Sequence, residues 1–139
     1  MQVGNLLLAS DWQIDCREIN YAKLAWLGDA IYELYVRVSL FNEAKSNLRL
    51  HKLAIGYVNA SYQAKLLNYY LDQAILQADE AKIVQRALNF RTHSHAKNQS
   101  LEDYQAATAL EVLLAYLYVN GRSERITELI NLSKKVDEN

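Results

Sequence analysis

Apolar residues recur at spacings of three and four through most of the chain. Between Asn20 and Phe41 the residues Leu24, Leu27, Ile31, Leu34, Tyr35 and Val38 fall on one side of a helical projection. Further apolar residues spill onto its flanks, so a long central helix is expected there. Asn42 to Lys45 breaks the pattern. Ser46 or Asn47 then offers the short polar side chain that satisfies the free N–H groups at a helix start, ahead of Leu50, Leu53, Ala54 and Tyr57. The same signal returns at Asn59 or Ser61, before Leu66, Leu67, Tyr70 and Leu71. Asp79 and Glu80 stand where a first helical turn favours acids, opening a segment through Ile83, Val84 and Leu88 to about Phe90. Arg91 to Ser100 has no apolar period and predicts a polar loop. Helix resumes near Leu101 and stops at Asn120-Gly121. Ser123 is expected to cap a last helix through Ile126, Leu129, Ile130 and Leu132, with Lys134 and Lys135 near its negative end. No run alternates with a period of two between turn signals, so no strand is expected.

Composition supports an all-α fold, because proline is absent, glycine occurs four times, and good helix formers dominate. At 139 residues, 51% hydrophobic and 22% charged, the chain is expected to form one compact domain over residues 1–139, and the disordered class is excluded. No apolar run is long enough to cross a bilayer. The short Leu6-Leu7-Leu8-Ala9 stretch has no Lys or Arg before it, unlike a secretory signal, so the expected location is cytoplasmic, with no membrane partner. A single cysteine, Cys16, excludes an internal disulfide and a Cys-based zinc site, and reads as a small half-buried residue. The net charge of −1 argues against a globally basic nucleic-acid binder and leaves the arrangement of charge to be read along the chain.

Two acids interrupt apolar windows. Asp29 is the only charge between Leu24 and Tyr32, and Glu111 the only charge between Ala106 and Tyr116. Burying an unpaired carboxylate costs several kcal/mol or forces it to protonate, so each implies a compensating positive charge. Neither window holds a Lys or Arg, and a divalent metal is the economical answer for two carboxylates brought together. Small neighbours, Gly28 beside Asp29 and Ala107, Thr108 and Ala115 around Glu111, leave room for an ion and a phosphate. The competing reading is that either acid caps a neighbouring helix or pairs with a distant base. Glu33 lies one turn after Asp29 but has Arg37 four residues on, which favours a surface ion pair. His93 and His95 lack the further ligands a zinc site needs.

Basic residues are segregated. Lys45, Arg49, Lys52 and Lys65 lie in an acid-free stretch from Ala44 to Leu71, and Lys82, Arg86, Arg91 and Lys97 in another from Ala81 to Leu101. Spaced four and three, Lys45, Arg49 and Lys52 would form a row suited to successive phosphates. Arg91, His93, His95 and Lys97 add donors on the polar loop. Such stretches also serve as plain solvated faces. Most of the ten tyrosines fall at helical spacing on apolar faces and are read as core or interface.

The run Leu24-Ala25-Trp26-Leu27-Gly28-Asp29-Ala30-Ile31-Tyr32-Glu33-Leu34-Tyr35-Val36-Arg37 resembles the signature helix of ribonuclease III catalytic domains, and most of all the short Mini-ribonuclease III branch. Similar segments are Leu50-His51-Lys52, Arg86 with Asn89, and Leu110-Glu111-Val112-Leu113-Leu114-Ala115-Tyr116-Leu117. Two positions that are acidic in ribonuclease III proper are Ala25 and Thr108 here, as in the Mini branch. Where that branch carries Arg-Gly-Arg-Asn, this chain reads Arg86-Ala87-Leu88-Asn89. The resemblance implies an all-helical ribonuclease III-like endonuclease domain that forms a homodimer. It further implies Mg²⁺-dependent hydrolysis of double-stranded RNA to 5′-phosphate and 3′-hydroxyl ends, with precursor 23S ribosomal RNA as substrate and Mn²⁺ as the substitute ion. Asp29 and Glu111 would then be the catalytic metal ligands, and Lys45, Arg49, Lys52, Arg86, Asn89, Arg91, His93, His95 and Lys97 the RNA contacts. The alternative is a catalytically silent helical RNA-binding or scaffold dimer of the same fold.

Overall fold

The computed structural model describes residues 20–90 and 100–138. They form seven helices in chain order: α1 Tyr21–Leu40, α2 Asn47–Ile55, α3 Ala60–Asp72, α4 Ala78–Asn89, α5 Leu101–Val119, α6 Ser123–Asn131 and α7 Ser133–Glu138. Short polar side chains start four of them. Asn20, Ser46, Asn59 and Ser100 accept from the backbone N–H of Lys23, Arg49, Tyr62 and Asp103, at 3.1, 3.1, 2.8 and 3.0 Å. Gly121 at φ +73 ends α5 in the left-handed conformation that glycine adopts without strain.

The central helix is α5, where the pattern had pointed to α1. Ala106, Ala109, Leu110, Leu113, Leu114 and Leu117 of α5 are buried, and α1, α3, α4 and α6 all pack around it. A helix that is apolar on every side must be enclosed by others, whereas α1 keeps an exposed side carrying Trp26, Arg37 and Val38. The C-terminal segment also differs from expectation. Ser123 is buried as the first residue of α6 and Arg122 occupies the cap position, because the Arg122 N–H bonds Leu117 O at 2.8 Å and closes the turn early. The helix then breaks at Leu132, and α7 folds against α3 with Val136 buried. Asp137 accepts the hydroxyls of Tyr57 and Tyr62, at 3.4 and 2.9 Å. Lys134 and Lys135 therefore belong to α7, not to the end of the preceding helix.

A buried ionic clasp joins α4 to α6. The fully buried Glu80 receives Arg125 Nε and Nη2 at 2.9 Å each and Arg122 Nη2 at 3.2 Å, and Arg122 also reaches Asp79 at 2.6 Å. Two-pronged pairing of this kind offsets the desolvation of a buried carboxylate.

The backbones of α1 and α5 approach closely at Gly28. A Cβ there would overlap the Glu111 carbonyl and stand 2.8 Å from Glu111 Cα, with helix backbone on both sides and no flexible side chain to move away. Gly28→Ala should therefore destabilise the fold by about 3 kcal/mol or more, at the upper end of overpacking costs. Thermal denaturation of the variant measures this, and an unchanged melting temperature would show that the two helices can separate freely.

Candidate active site

The Gly28 crossing sets the geometry of the site. Because the α1 backbone rests on the Glu111 backbone, the next residue on α1, Asp29, is delivered beside the Glu111 side chain, and the two carboxyls hydrogen-bond. Asp29 is exposed and Glu111 half-buried, so the pair forms a carboxylate couple open to solvent on the Asp29 side. Apolar windows did not mean burial for Asp29, since its position on α1 lies just off the face that carries Gly28, Ile31, Tyr32 and Val36 into the core.

Burial, then the neighbouring Asp29 charge, then the hydrogen bond shared with Asp29 push the Glu111 carboxyl up to about 8, while a hydrogen bond from Gln63 acts in the opposite direction. Near neutral pH the couple holds a proton between two acids. A hard divalent cation with oxygen ligands is the chemistry that lets both ionise, and two carboxylates suit Mg²⁺, which keeps most of its waters. Among the described residues no group of three or more His, Cys, Asp or Glu side chains could hold an ion. Glu33 pairs with Arg37 at 2.8 Å on the surface, as the spacing predicted, and Thr108 Oγ1 donates to Tyr104 O at 2.9 Å.

Those basic candidates that fall among the described residues are exposed and lie toward the two ends of α1. Tyr21 packs on Phe90 with ring centroids 5.5 Å apart, which sets Arg86 and Asn89 near the start of α1. Arg49 lines a cavity of about 460 Å³ with Val36 and Leu40, which sets α2 near its other end. Arg49 and Lys52 stand three apart on α2, but Lys45 precedes the Ser46 cap and so lies outside the helix, shortening the expected row. Arg91, His93, His95 and Lys97, like Cys16, fall outside the described residues. Sequence reasoning passed over Gln63, a buried amide on α3 that interrupts the apolar stripe of Ala60, Ala64, Leu67 and Tyr70.

The Ribonuclease III domain family matches residues 22–122, which include both carboxylates. The chain belongs to the ribonuclease III family. Its place within the family is the Mini-ribonuclease 3 branch of double-strand RNA endonucleases, by similarity to several relatives of that name. Mini-ribonuclease 3 of Enterococcus faecalis is 39% identical over 127 residues, covering 89% of this chain and 96% of the relative. That of Brevibacillus brevis is 42% identical over 109 residues, covering 77% and 79%. A crystal structure of a protein from Fusobacterium nucleatum superposes with a TM-score of 0.77 at 30% identity, covering 88% of this chain and 98% of that one. The ribonuclease III-like, all-α fold expected from the sequence is thus the observed one, and no helix among the described residues is long and apolar enough to cross a membrane.

The raised Glu111 carboxyl makes stability depend on pH. Its ordinary value is 4.5 and its folded value about 8, so the folded protein holds this proton more tightly than the unfolded chain does. The stabilisation is complete below about pH 4.5 and is lost as pH rises through about 8. In the metal-free protein the loss should be on the order of 2 kcal/mol, less than the full shift implies because the site is partly solvated. Melting curves of wild type and Glu111→Gln between pH 5 and 8.5 test it, and equal pH slopes would refute it.

Proposed function

We propose that this ribonuclease III family member uses Asp29 and Glu111 to hold a divalent cation, Mg²⁺ or in substitution Mn²⁺, and cleaves double-stranded precursor 23S ribosomal RNA as a homodimer. The observation that carries the reading is the carboxylate couple, which has no basic partner among the described residues yet is set beside solvent. Bound there, the cation would supply Lewis-acid polarisation of the scissile phosphate and ease deprotonation of the attacking water, leaving 5′-phosphate and 3′-hydroxyl ends. Glu111 would have to give up its proton for the pair to hold the cation, and the two carboxylates would together fix where the phosphate meets it. Arg86 and Asn89, with Arg91, His93, His95 and Lys97, and at the other end Lys45, Arg49 and Lys52, would contact backbone phosphates and position an A-form duplex read by shape and 2′-hydroxyls.

The inward parts of the Arg86-Ala87-Leu88-Asn89 span support this assignment. Ala87 is buried and Leu88 packs on the core, while Arg86 and Asn89 face solvent, so the departures from the branch pattern fall on the side away from a ligand. The homodimer rests on exposed apolar surface. Ile31 and Tyr32 are buried within their own chain and do not contribute to that surface. Trp26 is 80% exposed one turn before Asp29, and an indole so placed calls for a second subunit as cover. The family's wider properties, including one catalytic domain spanning the chain and a cytoplasmic location, fit the same proposal.

Asp29→Asn and Glu111→Gln should each abolish Mg²⁺-dependent cleavage while RNA affinity measured in Ca²⁺ stays within about twofold, since phosphate contacts lie elsewhere. Cleavage that survives both substitutions would favour a silent RNA-binding scaffold whose residual activity comes from contamination. Arg86→Ala, Arg91→Ala and Lys97→Ala should weaken binding across RNA sequences and reduce the log-log salt slope by roughly one each, with metal affinity unchanged. Lys134→Ala on α7 is the control, and an equal loss there would place the RNA on another face.

A further inference from the structure

Gln63 stands 7% exposed in the seam between α3 and α5, among Ala60, Ala64, Leu66, Leu67 and Tyr70. An amide buried without partners costs roughly 1–3 kcal/mol, and methionine would fill the same volume without that cost. Packing alone gives no reason for glutamine here. Its side chain instead hydrogen-bonds the Glu111 carboxyl, which meets Asp29 as well. Three helices therefore converge on one carboxyl group: α5 carries it, α1 presents an acid to it, and α3 presents an amide. Gly28 fixes the Glu111 backbone, which leaves the direction of the carboxyl to its own side-chain torsions. Glutamine is suited to restrain those torsions, because its N–H donates to a carboxylate while remaining neutral and adding no rival anion.

We propose that Gln63 is a positioning residue of the cation site, its carboxamide N–H holding one oxygen of Glu111 so that the other is presented with Asp29 to a divalent cation. This rests on the reading of Asp29 and Glu111 as the metal-binding pair. Groups that orient a ligand without touching the metal contribute roughly 10–100-fold in metal affinity or activity. Gln63 also differs from a bridge that merely ties α3 to α5, since a bridge would alter melting without altering the ion.

The test is calorimetric titration of Mn²⁺ alone into the full chain, for wild type, Gln63→Met, Gln63→Asn and Glu111→Gln, with melting temperatures and RNA cleavage kinetics alongside. Gln63→Met should bind Mn²⁺ about tenfold or more weakly, melt at or above the wild-type temperature, and lower kcat with KM for RNA unchanged. Gln63→Asn, one methylene too short to reach, should move in the same direction. Wild-type Mn²⁺ affinity in Gln63→Met, or a loss that accompanies a lower melting temperature in both variants, overturns the proposal, as does failure of both to fold. Glu111→Gln separates the two layers. If it binds Mn²⁺ like wild type, the metal-pair reading itself fails. If it loses Mn²⁺ while Gln63→Met retains it, the role of Gln63 alone falls.

Discussion

The approach of α1 to α5 at Gly28 is the constraint on which the rest of the structure depends. Helix axes this close require a residue with no side chain at the crossing, and the missing Cβ is what lets the Glu111 backbone sit against α1. The same contact does two things at once. It brings the signature helix onto the helix that forms the centre of the core, and it sets Asp29 beside Glu111 with no intervening atoms to adjust. Stability and site geometry therefore share a single cause. A substitution that opened the crossing would separate the carboxyls by the same movement that loosened the core.

Two withdrawn carboxylates in this fold meet opposite fates, and the contrast separates architecture from chemistry. Glu80 is fully buried and is met by Arg122 and Arg125 in a set of hydrogen bonds that leaves its charge neutralised. Its role is complete when the chain has folded, as a tie between α4 and α6. Glu111 is met by another acid and by a neutral amide. Folding alone gains nothing from placing like charges together, so the site is a standing cost that a bound cation would remove. Burial of a carboxylate is common to both positions, and what differs is the sign of what surrounds it.

Much of this could be read from the order of residues. The isolated acids were legible because each is the sole charge in an apolar window, and the starts of α2 and α3 because Ser46 and Asn59 are strong caps with local geometry. The centre of the bundle was not, since α1 and α5 are both rich in apolar residues, and only the all-round burial of α5 distinguishes them. The break after α6 was hidden as well. Leu132 continues the three-and-four rhythm, and the turn there comes from distant partners, Val136 against α3 and Asp137 beneath Tyr57 and Tyr62. Gln63 carries no charge and so left no electrostatic mark. Its signal was subtler, an amide at a position where the stripe of α3 calls for an apolar residue.

The arrangement along α1 also suggests why a near-neutral chain can serve a polyanion. Net charge is −1, yet Arg86 on α4 and Arg49 and Lys52 on α2 lie toward the two ends of a helix about 30 Å long, with Asp29 between them. A duplex lying along such a helix would meet positive charge on either side of the carboxylate couple and negative charge only at its middle. That middle is where a cation would be recruited, and a bound phosphate would then strengthen its retention, because the anion and the carboxylates are stabilised by the same ion. Affinity built this way comes from separated contacts to phosphates and is weakened by salt at each of them, whereas the chemistry depends on one short-range pairing that salt scarcely screens. Under the proposed function, binding and cleavage would thus be set by different residues and different distances, and could be altered independently.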